Sequence, residues 1–128
     1  MNQPLSLSTD GNGLLSGFRY HDGRIVHIGF DRDAVTLRVA CEDGLAETDL
    51  LLTGVRAYRQ DGLLSQSIVG WMFVVKSGEL SAEKAATLFG RDIDLYKSLE
   101  PGELIIQVEA IMGVGVTAVC TAVTAWAA

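Results

Sequence analysis

Apolar and polar residues alternate with a period of two through much of the first half of the chain, which predicts antiparallel β-strands. The clearest strand covers residues 35–42, and its apolar positions are Val35, Leu37, Val39 and Cys41. Because successive side chains of a strand point to opposite faces, this segment should bury one face and leave the other in water. Residues 14–21 are predicted as the first strand. Residues 24–30 follow, with Val26, Ile28 and Phe30 on one face and Ile25, His27 and Gly29 on the other.

Turn signals separate these segments. Four Asp-Gly pairs occur, at positions 10–11, 22–23, 43–44 and 61–62. Asp-Gly is a preferred two-residue hairpin turn, because both central residues of that turn need positive φ. A further turn is predicted at residues 31–33, and Gly54 is predicted to form a bulge within residues 45–60. Together these signals predict a meander of antiparallel strands.

The second half of the chain begins with an apolar run and then changes period. Residues 68–76 are almost entirely apolar, which predicts a central strand covered on both faces. Ser81 is a suitable N-cap, residues 82–88 are mostly helix formers, and Gly90 is placed as a C-terminal cap. Residues 91–100 fit either a helix or a strand.

A closing hairpin is predicted from residues 103–111 and 114–126. The stretch 110–128 carries no charge and has about the length of a membrane span (~20 residues). It is rich in Gly, Ala and Thr, its β-branched residues alternate, and no Lys or Arg flanks it, so a core strand is favoured over a membrane tail.

The predicted fold class is therefore mainly β, or β-rich α+β, in a single domain of residues 1–128. A meander of seven or eight antiparallel strands would form a curled sheet, a sandwich or an open barrel, with one short helix before the C-terminal hairpin. Edge strands are expected in any open sheet, and they make a homodimer a further expectation.

Charge narrows the choice of partners. The formal net charge is −6, and no cluster of Lys and Arg is present to bind phosphates, so nucleic acid is not expected as a partner. A membrane is not expected either, because residues 110–128 are favoured as a core strand. An acidic balance fits a protein partner with a basic surface, although ordinary solubility at neutral pH is the favoured explanation. Two widely separated cysteines, and first residues without a basic or apolar stretch, predict a cytoplasmic protein.

The first candidate for chemistry is the cluster of Tyr20, His21 and Asp22. His21 and Asp22 have the residue types of a general base and its orienting carboxylate. Adjacent strand residues point to opposite faces, so a direct relay between the two is geometrically poor, and Asp22 already has a turn role. His21 and His27 with a carboxylate are the residue types of a metal site, but no HxH, HExxH or CxxC motif accompanies them. We therefore expect structural or surface histidines.

The second candidate is a group of carboxylates around one predicted hairpin, namely Glu42, Asp43, Glu47 and Asp49. They offer ligands for Ca²⁺ or contacts for a basic partner, although a solvated hairpin tip is the favoured explanation. Cys41 and Cys120 lack the positive neighbourhood that a nucleophilic thiol needs, so both are expected as buried thiols. No metal and no cofactor is expected.

Three short segments carry a resemblance to known proteins, namely residues 20–25, 52–56 and 115–120. They resemble segments of small bacterial antiparallel-β proteins, the immunity proteins that sit beside polymorphic toxins, and their uncharacterised relatives. The resemblance implies a cytoplasmic domain that binds a toxin and has no catalysis of its own.

Three functions remain open at this point. The favoured one is a non-enzymatic protein-binding domain, immunity-like in its partner. The second is a small-ligand-binding barrel or minor enzyme with a site near His21 and His27, and the third is a structural homo-oligomer joined through edge strands. No catalytic residue is assigned. The predicted binding residues are Tyr20, His21, His27, Glu42, Asp43, Glu47 and Asp49.

Overall fold

Eleven strands and two α-helices lie within residues 3–64 and 67–128, the part of the chain that the computed structural model describes. The first eight strands are β1 (Gln3–Leu5), β2 (Ser8–Thr9), β3 (Leu15–Ser16), β4 (Arg24–Asp31), β5 (Ala34–Ala40), β6 (Glu47–Thr53), β7 (Ala57–Asp61) and β8 (Ile68–Lys76). They are followed by α1 (Ala82–Phe89), a 3-10 turn (Gly90–Asp92), α2 (Ile93–Lys97), β9 (Leu104–Met112), β10 (Gly115–Cys120) and β11 (Ala122–Ala127). Strands hold 52% of the chain and helices 14%, so the predicted mainly-β class is confirmed.

The strands form two main sheets whose neighbours are all antiparallel. One sheet has five strands in the order β1-β11-β6-β5-β4, and the other has four in the order β7-β10-β9-β8. The short pair β2-β3 forms a separate ribbon. The two sheets are not closed into a barrel. They share one core, in which Leu37 and Leu50 of the first sheet join Met72, Ile106 and Val116 of the second, so the arrangement is a sandwich.

Two segments carry the chain from one sheet to the other at the same place. β6 passes into β7 through residues 54–56, and β10 passes into β11 at Thr121. The Thr121 N–H donates to the Thr53 carbonyl at 2.9 Å, which keeps the two crossing segments together. Gly54 has φ of 64°, and a Cβ there would lie 2.3 Å from the Thr121 hydroxyl oxygen. The predicted bulge at Gly54 is therefore the point where the strand changes sheets.

The helices form a third layer on the outer face of the four-stranded sheet, the face directed away from the five-stranded sheet. Their buried side chains meet Val75, Ile105 and Val119 of that sheet. The Ser81 hydroxyl accepts the Lys84 N–H at 3.2 Å, and Gly90 follows the last helical residue with φ of 50°. The predicted caps and helix are confirmed, and residues 91–100 form the 3-10 turn and α2.

Alternation identified β5 correctly but not the faces of β4. Val35, Leu37 and Val39 are all buried. In β4 the register shifts between Ile25 and His27, so one extra residue is inserted. Ile25 is buried while Val26 is exposed, and the predicted grouping of Val26 with Ile28 is wrong because the bulge reverses the alternation.

The Asp-Gly prediction is correct in marking turns and wrong in their type. None of the four pairs has positive φ at both residues; Asp22 is positive at 62°, whereas Gly23 is not. The pair at 43–44 lies in the longer loop between β5 and β6, and that at 10–11 connects β2 to β3. The pair at 61–62 forms no hairpin, because β7 and β8 lie at opposite edges of their sheet.

The observed pairing of the strands tests three further predictions. Residues 14–21 contain only the two-residue strand β3, so the predicted long first strand is wrong. β8 is an edge strand and not a central one, yet its edge is partly occupied: the Val69 N–H donates to the Gly23 carbonyl and the Val74 N–H to the Gly13 carbonyl. Residues 110–128 end β9 and form β10 and β11, so strands occur where they were favoured, but the predicted single strand 114–126 is wrong because the chain changes sheets at Thr121. Among the described residues, no helix is long and apolar enough to cross a membrane.

Candidate functional site

Tyr20, the first predicted binding residue, belongs to the core. Its side chain is buried, and its hydroxyl donates to the Leu15 carbonyl oxygen. Burial is the main cause that raises the pKa of Tyr20. The phenol therefore anchors the ribbon strand β3 to the core and does not join His21 in an accessible site.

His21 lies in a turn, so the predicted geometric objection to a contact with Asp22 is wrong. Its Nε2 is 3.6 Å from an Asp22 carboxylate oxygen, and its Nδ1 is 2.6 Å from the Gly70 carbonyl oxygen. The imidazole stacks on the Trp71 indole with a centroid distance of 4.1 Å. These contacts hold His21 on the surface of β8 by packing and by hydrogen bonding, which is a structural role.

His27 stands on another part of the surface. It lies exposed on β4, opposite Arg38 in the register with β5. His21 and His27 thus contact different strands, and no group of three or more His, Cys, Asp or Glu side chains in residues 3–64 and 67–128 is arranged to hold a metal ion. The sequence prediction of a shared site near both histidines finds no support in these contacts.

The four predicted carboxylates all lie on the β5–β6 hairpin, but two of them are already paired. Arg38 donates to both oxygens of Asp49, at 2.8 and 2.9 Å, and this hydrogen bonding lowers the Asp49 pKa. Asp43 accepts the Cys41 thiol at 2.7 Å, the contact that contributes most to its lowered pKa. Glu42 and Glu47 are exposed. The hairpin is thus built around internal contacts.

The alternation of the four-stranded sheet places three rows of side chains on its outer face. We define the covered row as the one beneath the helices, formed by Ala57, Val119, Ile105 and Val75. The next is the cleft row, formed by Arg59, Thr117, Gln107 and Phe73. The third is the open row, in which Asp61 lies opposite Gly115 and Glu109 lies opposite Trp71. The helices cover the first row. Thr117 of the cleft row is buried as well, whereas Asp61, Trp71 and Glu109 of the open row are exposed.

A cleft of about 800 Å³ lies over the cleft row, between α1 with its following turn and the sheet. Arg59, Gln107 and Thr117 line its floor, while Arg91 and Asp92 line its wall. A second cavity, of about 580 Å³, lies along α1 and is lined by helix residues from Glu83 to Leu88. Glu109 lines both cavities, so its carboxylate stands between them.

Ion pairs fix the wall of the cleft to its floor. The Arg59 guanidinium donates to Asp92 at 2.8 Å and to Asp94 at 2.7 and 3.0 Å. These hydrogen bonds raise the pKa of Arg59 and lower the pKa of Asp94. The Thr117 hydroxyl donates to the other Asp92 oxygen at 3.0 Å. The 3-10 turn is thereby tied to β7 and β10, and the positive charge of Arg59 is neutralised within the protein.

Gln107 lines the cleft and has a side-chain oxygen without a hydrogen-bond partner. Its side-chain Oε1 is buried and has no hydrogen-bond partner among the described residues. Gln107 is not among the residues predicted from the sequence, because the sequence predicts β9 only as one strand of a closing hairpin. The available signal is the alternation of Ile105, Gln107 and Glu109, which sets two polar side chains beside an apolar one on the same face of a mostly apolar strand.

Exposed apolar side chains lie beyond the cleft, at the end of the same sheet. We call this surface the apolar tip and define it as Leu63, Trp71, Ile111 and Met112. Their exposed fractions are 73%, 42%, 59% and 51%. Ile111 and Met112 end β9, and Leu63 follows Gly62, where an added Cβ would meet the Gly113 carbonyl. The apolar tip is therefore formed by the β9–β10 turn and the strands beside it.

The chain matches no protein-family model, no curated protein and no solved structure. Any proposal about function therefore rests on the side chains described in this subsection. They define two features at the four-stranded sheet: a cleft lined by polar side chains, and an apolar tip at the end of the sheet.

Proposed function

We propose that this protein is a non-enzymatic protein-binding domain whose partner docks on the apolar tip. The supporting observation is the exposure of Leu63, Trp71, Ile111 and Met112 at one end of one sheet. Contiguous exposed apolar surface is uncommon on small monomeric proteins and often marks an interaction site. Trp is also among the residues that contribute most at the centres of protein interfaces.

The charges around the apolar tip favour a basic partner. The chain carries a net charge of −6. Glu109 lies opposite Trp71 in the sheet register, and Asp22 is in contact with His21, which stacks on Trp71. A partner with Lys or Arg around an apolar centre would complement this rim and associate faster for that reason. This interface is the apolar tip and not the acidic β5–β6 hairpin, because Asp43 and Asp49 of that hairpin are paired within the protein.

The resemblance to immunity proteins adds a class of partner to this proposal, namely a toxin that the domain binds without chemistry of its own. The thiol of Cys120 agrees with a lack of covalent chemistry, because burial raises its pKa to about 12 and keeps it protonated. A homodimer through edge strands stays a separate prediction. It would use β1, β4 or β7, because Gly13 and Gly23 occupy part of the β8 edge.

The test is affinity capture from the native host's lysate at low and moderate salt, with the wild type and two variants. Ile111→Asp places a charge in the apolar tip, and Leu45→Asp makes the same change on the β5–β6 loop, where Leu45 is 86% exposed. We expect one stoichiometric partner that survives moderate salt, is retained by Leu45→Asp and is lost by Ile111→Asp. Both variants should keep the wild-type melting temperature.

The opposite pattern would assign the interface to the β5–β6 hairpin and overturn the proposed surface. Capture of no stoichiometric partner by the wild type would overturn the binding function. Mass measurement of the purified chain over a range of concentrations tests the homodimer separately, since a concentration-independent monomer mass excludes it.

A further inference from the structure

A third cavity, of about 170 Å³, opens into the apolar core between the two sheets. We call it the core pocket. Its apolar lining comes from both sheets and from residues 7–15, and consists of Leu7, Leu15, Val74, Leu104 and Val123. These side chains belong to the shared core or pack against it, and all but Leu15 are only half-buried. The core pocket is therefore a place where the core of the sandwich remains accessible from outside.

The short length of β1 accounts for this opening. β1 pairs only with Ala125–Ala127, so the first half of β11, which carries Val123, has no neighbour on that edge of the five-stranded sheet within the described residues. Leu7 and Leu15 line the core pocket together with Val123 and close part of the gap. Protein interiors are otherwise packed about as closely as organic crystals, and side chains that face a void lose dispersion contacts. An apolar group that entered the core pocket would restore these contacts.

Polar side chains form the mouth of the core pocket. They are Ser8, Thr9, Lys76 and Glu79, and all four are exposed. Lys76 and Glu79 stand at the two ends of one turn, since the Glu79 N–H donates to the Lys76 carbonyl oxygen at 3.1 Å. Neither side chain takes part in the ion pairs formed within residues 3–64 and 67–128. The mouth thus presents one positive and one negative charge beside an apolar interior.

We infer that the core pocket binds a free aliphatic α-amino acid of about the size of leucine. The branched side chain would lie among the apolar residues, the carboxylate would face Lys76, and the ammonium would face Glu79. An apolar cavity of about 150 Å³ takes up a molecule as large as benzene, so the core pocket has room for the four carbons of this side chain. A singly charged head group would meet a like charge at Glu79 or Lys76, so a zwitterion fits the mouth best.

This site is separate from the apolar tip and goes beyond the proposed partner binding. Lys76 pairs with Leu104 at one end of the ladder between β8 and β9, whereas Ile68 pairs with Met112 at the other end. The nine residues of β8 extend about 30 Å. A bound amino acid therefore does not contact a protein docked on the apolar tip.

The experiment is a titration of the ¹⁵N-labelled full chain with L-leucine, followed by NMR at the backbone amides of β8, β9 and β11. Three further probes separate the parts of the ligand. Glycine has the zwitterionic head without the side chain, isocaproate lacks the ammonium, and isoamylamine lacks the carboxylate. We expect saturable shifts from L-leucine around the core pocket and none from glycine. The two singly charged probes should bind about threefold more weakly or worse, the size expected for the loss of an exposed ion pair.

Two variants test the charges at the mouth. Lys76→Met and Glu79→Gln should each weaken L-leucine binding about threefold or more, for the same reason. Their controls are Lys97→Met on α2 and Glu42→Gln on the β5–β6 loop, which remove the same charges from exposed positions outside the core pocket. Both controls should bind L-leucine with unchanged affinity.

A third variant tests the cavity itself. Val123→Phe places a larger apolar side chain in the core pocket and should abolish saturable binding. The control is Val26→Phe, the same substitution at an exposed position of β4, which should keep it. If Val123→Phe does not fold, Lys76→Met and Glu79→Gln still decide, because they change exposed side chains only.

Three results would overturn the inference. They are the lack of saturable shifts with L-leucine, binding of glycine or of a singly charged probe as tight as that of L-leucine, and unchanged affinity in Lys76→Met or Glu79→Gln. None of them bears on the apolar tip, because partner capture there does not require the core pocket. Ile111→Asp in turn should lose the captured partner and keep the wild-type affinity for L-leucine.

Discussion

Replacement of Gln107 by Met should make the free protein more stable. A buried acceptor without a partner costs about 1–3 kcal/mol relative to an apolar group of the same shape. Gln107 is half-buried between Phe73 and Thr117, so we take the lower part of that range. Met has nearly the same length, removes the unsatisfied oxygen and packs an apolar chain against Phe73. We expect a gain of about 1–2 kcal/mol in the free energy of unfolding.

Urea unfolding followed by the fluorescence of Trp71 and Trp126 measures this change, and thermal unfolding gives a second reading. For a domain of this size, 1 kcal/mol corresponds to about 3–5 °C in melting temperature. The matched control is Gln3→Met, the same substitution at an exposed position of β1. It should leave stability within about 0.5 kcal/mol of the wild type.

A loss of stability in Gln107→Met would contradict this reasoning. It would mean that the Gln107 amide is hydrogen-bonded in solution and that the cleft holds no unmet acceptor.

Three other predictions concern a glycine turn, an ion pair and a buried thiol of the sandwich. Gly62→Ala should destabilise the protein by at least about 2 kcal/mol in urea unfolding, because φ is +90° and the new Cβ would lie 1.9 Å from a backbone oxygen. Gly78→Ala, with φ of +74° and open space around it, should cost only about 1 kcal/mol. Hydrogen bonding to Arg56 holds the Glu103 pKa at about 2, below its usual 4.5, so the stability from this pair is complete above about pH 5 and declines toward pH 2. Arg56→Ala should therefore lose less melting temperature than the wild type over that interval; an equal loss would show that the pair contributes nothing. Cys120 should resist alkylation at pH 8 in the native protein and react in urea, as followed by mass spectrometry; native labelling would contradict its burial.

Features of the fold that depend on neighbouring residues were predictable from the sequence. The alternation in β5 follows from one buried and one solvated face, and the helix between Ser81 and Gly90 follows from its caps. The β9–β10 hairpin follows from two apolar segments around Gly113. In each case the physical cause lies within about ten residues of the effect, which is the range that periodicity and turn chemistry describe.

Features that depend on distant pairing were not predictable in this way. β7 pairs with β10 and not with its sequence neighbour β8, so the Asp61-Gly62 turn joins opposite edges of a sheet. The apolar run of β8 suggested a central strand, yet its edge is occupied by backbone of residues 13 and 23. Neither arrangement has a local sequence signature, because the partners are supplied by strands far along the chain.

The candidate site shows the same division. Alternation alone places Gln107 and Glu109 on one face of β9 with Ile105. Whether each of these three side chains is buried, hydrogen-bonded or exposed depends on where the helices end. It also depends on the carboxylates that form ion pairs with Arg59. Residue type alone predicts Tyr20, His21 and Asp49 as binding residues. In the fold, Tyr20 forms a hydrogen bond in the core, His21 stacks on Trp71 and Asp49 forms an ion pair with Arg38.

The cleft and the apolar tip have a common origin in the different lengths of helix and strand. α1 has eight residues and is about 12 Å long, whereas β8 and β9 have nine residues each and extend about 30 Å. In any orientation, a helical layer of this size covers only part of the sheet. The covered row takes up the apolar side chains of α1 and α2, and Arg59 and Arg91 then fix the edge of that layer through Asp92, Asp94 and Asp61.

Beyond that edge the sheet continues into the open row, whose side chains no helix covers. A sheet that needed only stability would carry charged or small residues there, as β10 does at Gly115. β8 and β9 instead carry Phe73 and Trp71 beside Gln107 and Glu109. The exposed ring of Trp71 contributes little to folding and would gain from a partner that covers it, and the unsatisfied buried oxygen of Gln107 lowers the stability of the free protein. Their occurrence in adjacent rows of one sheet face is the reason to place recognition here and not at the histidines or the acidic hairpin.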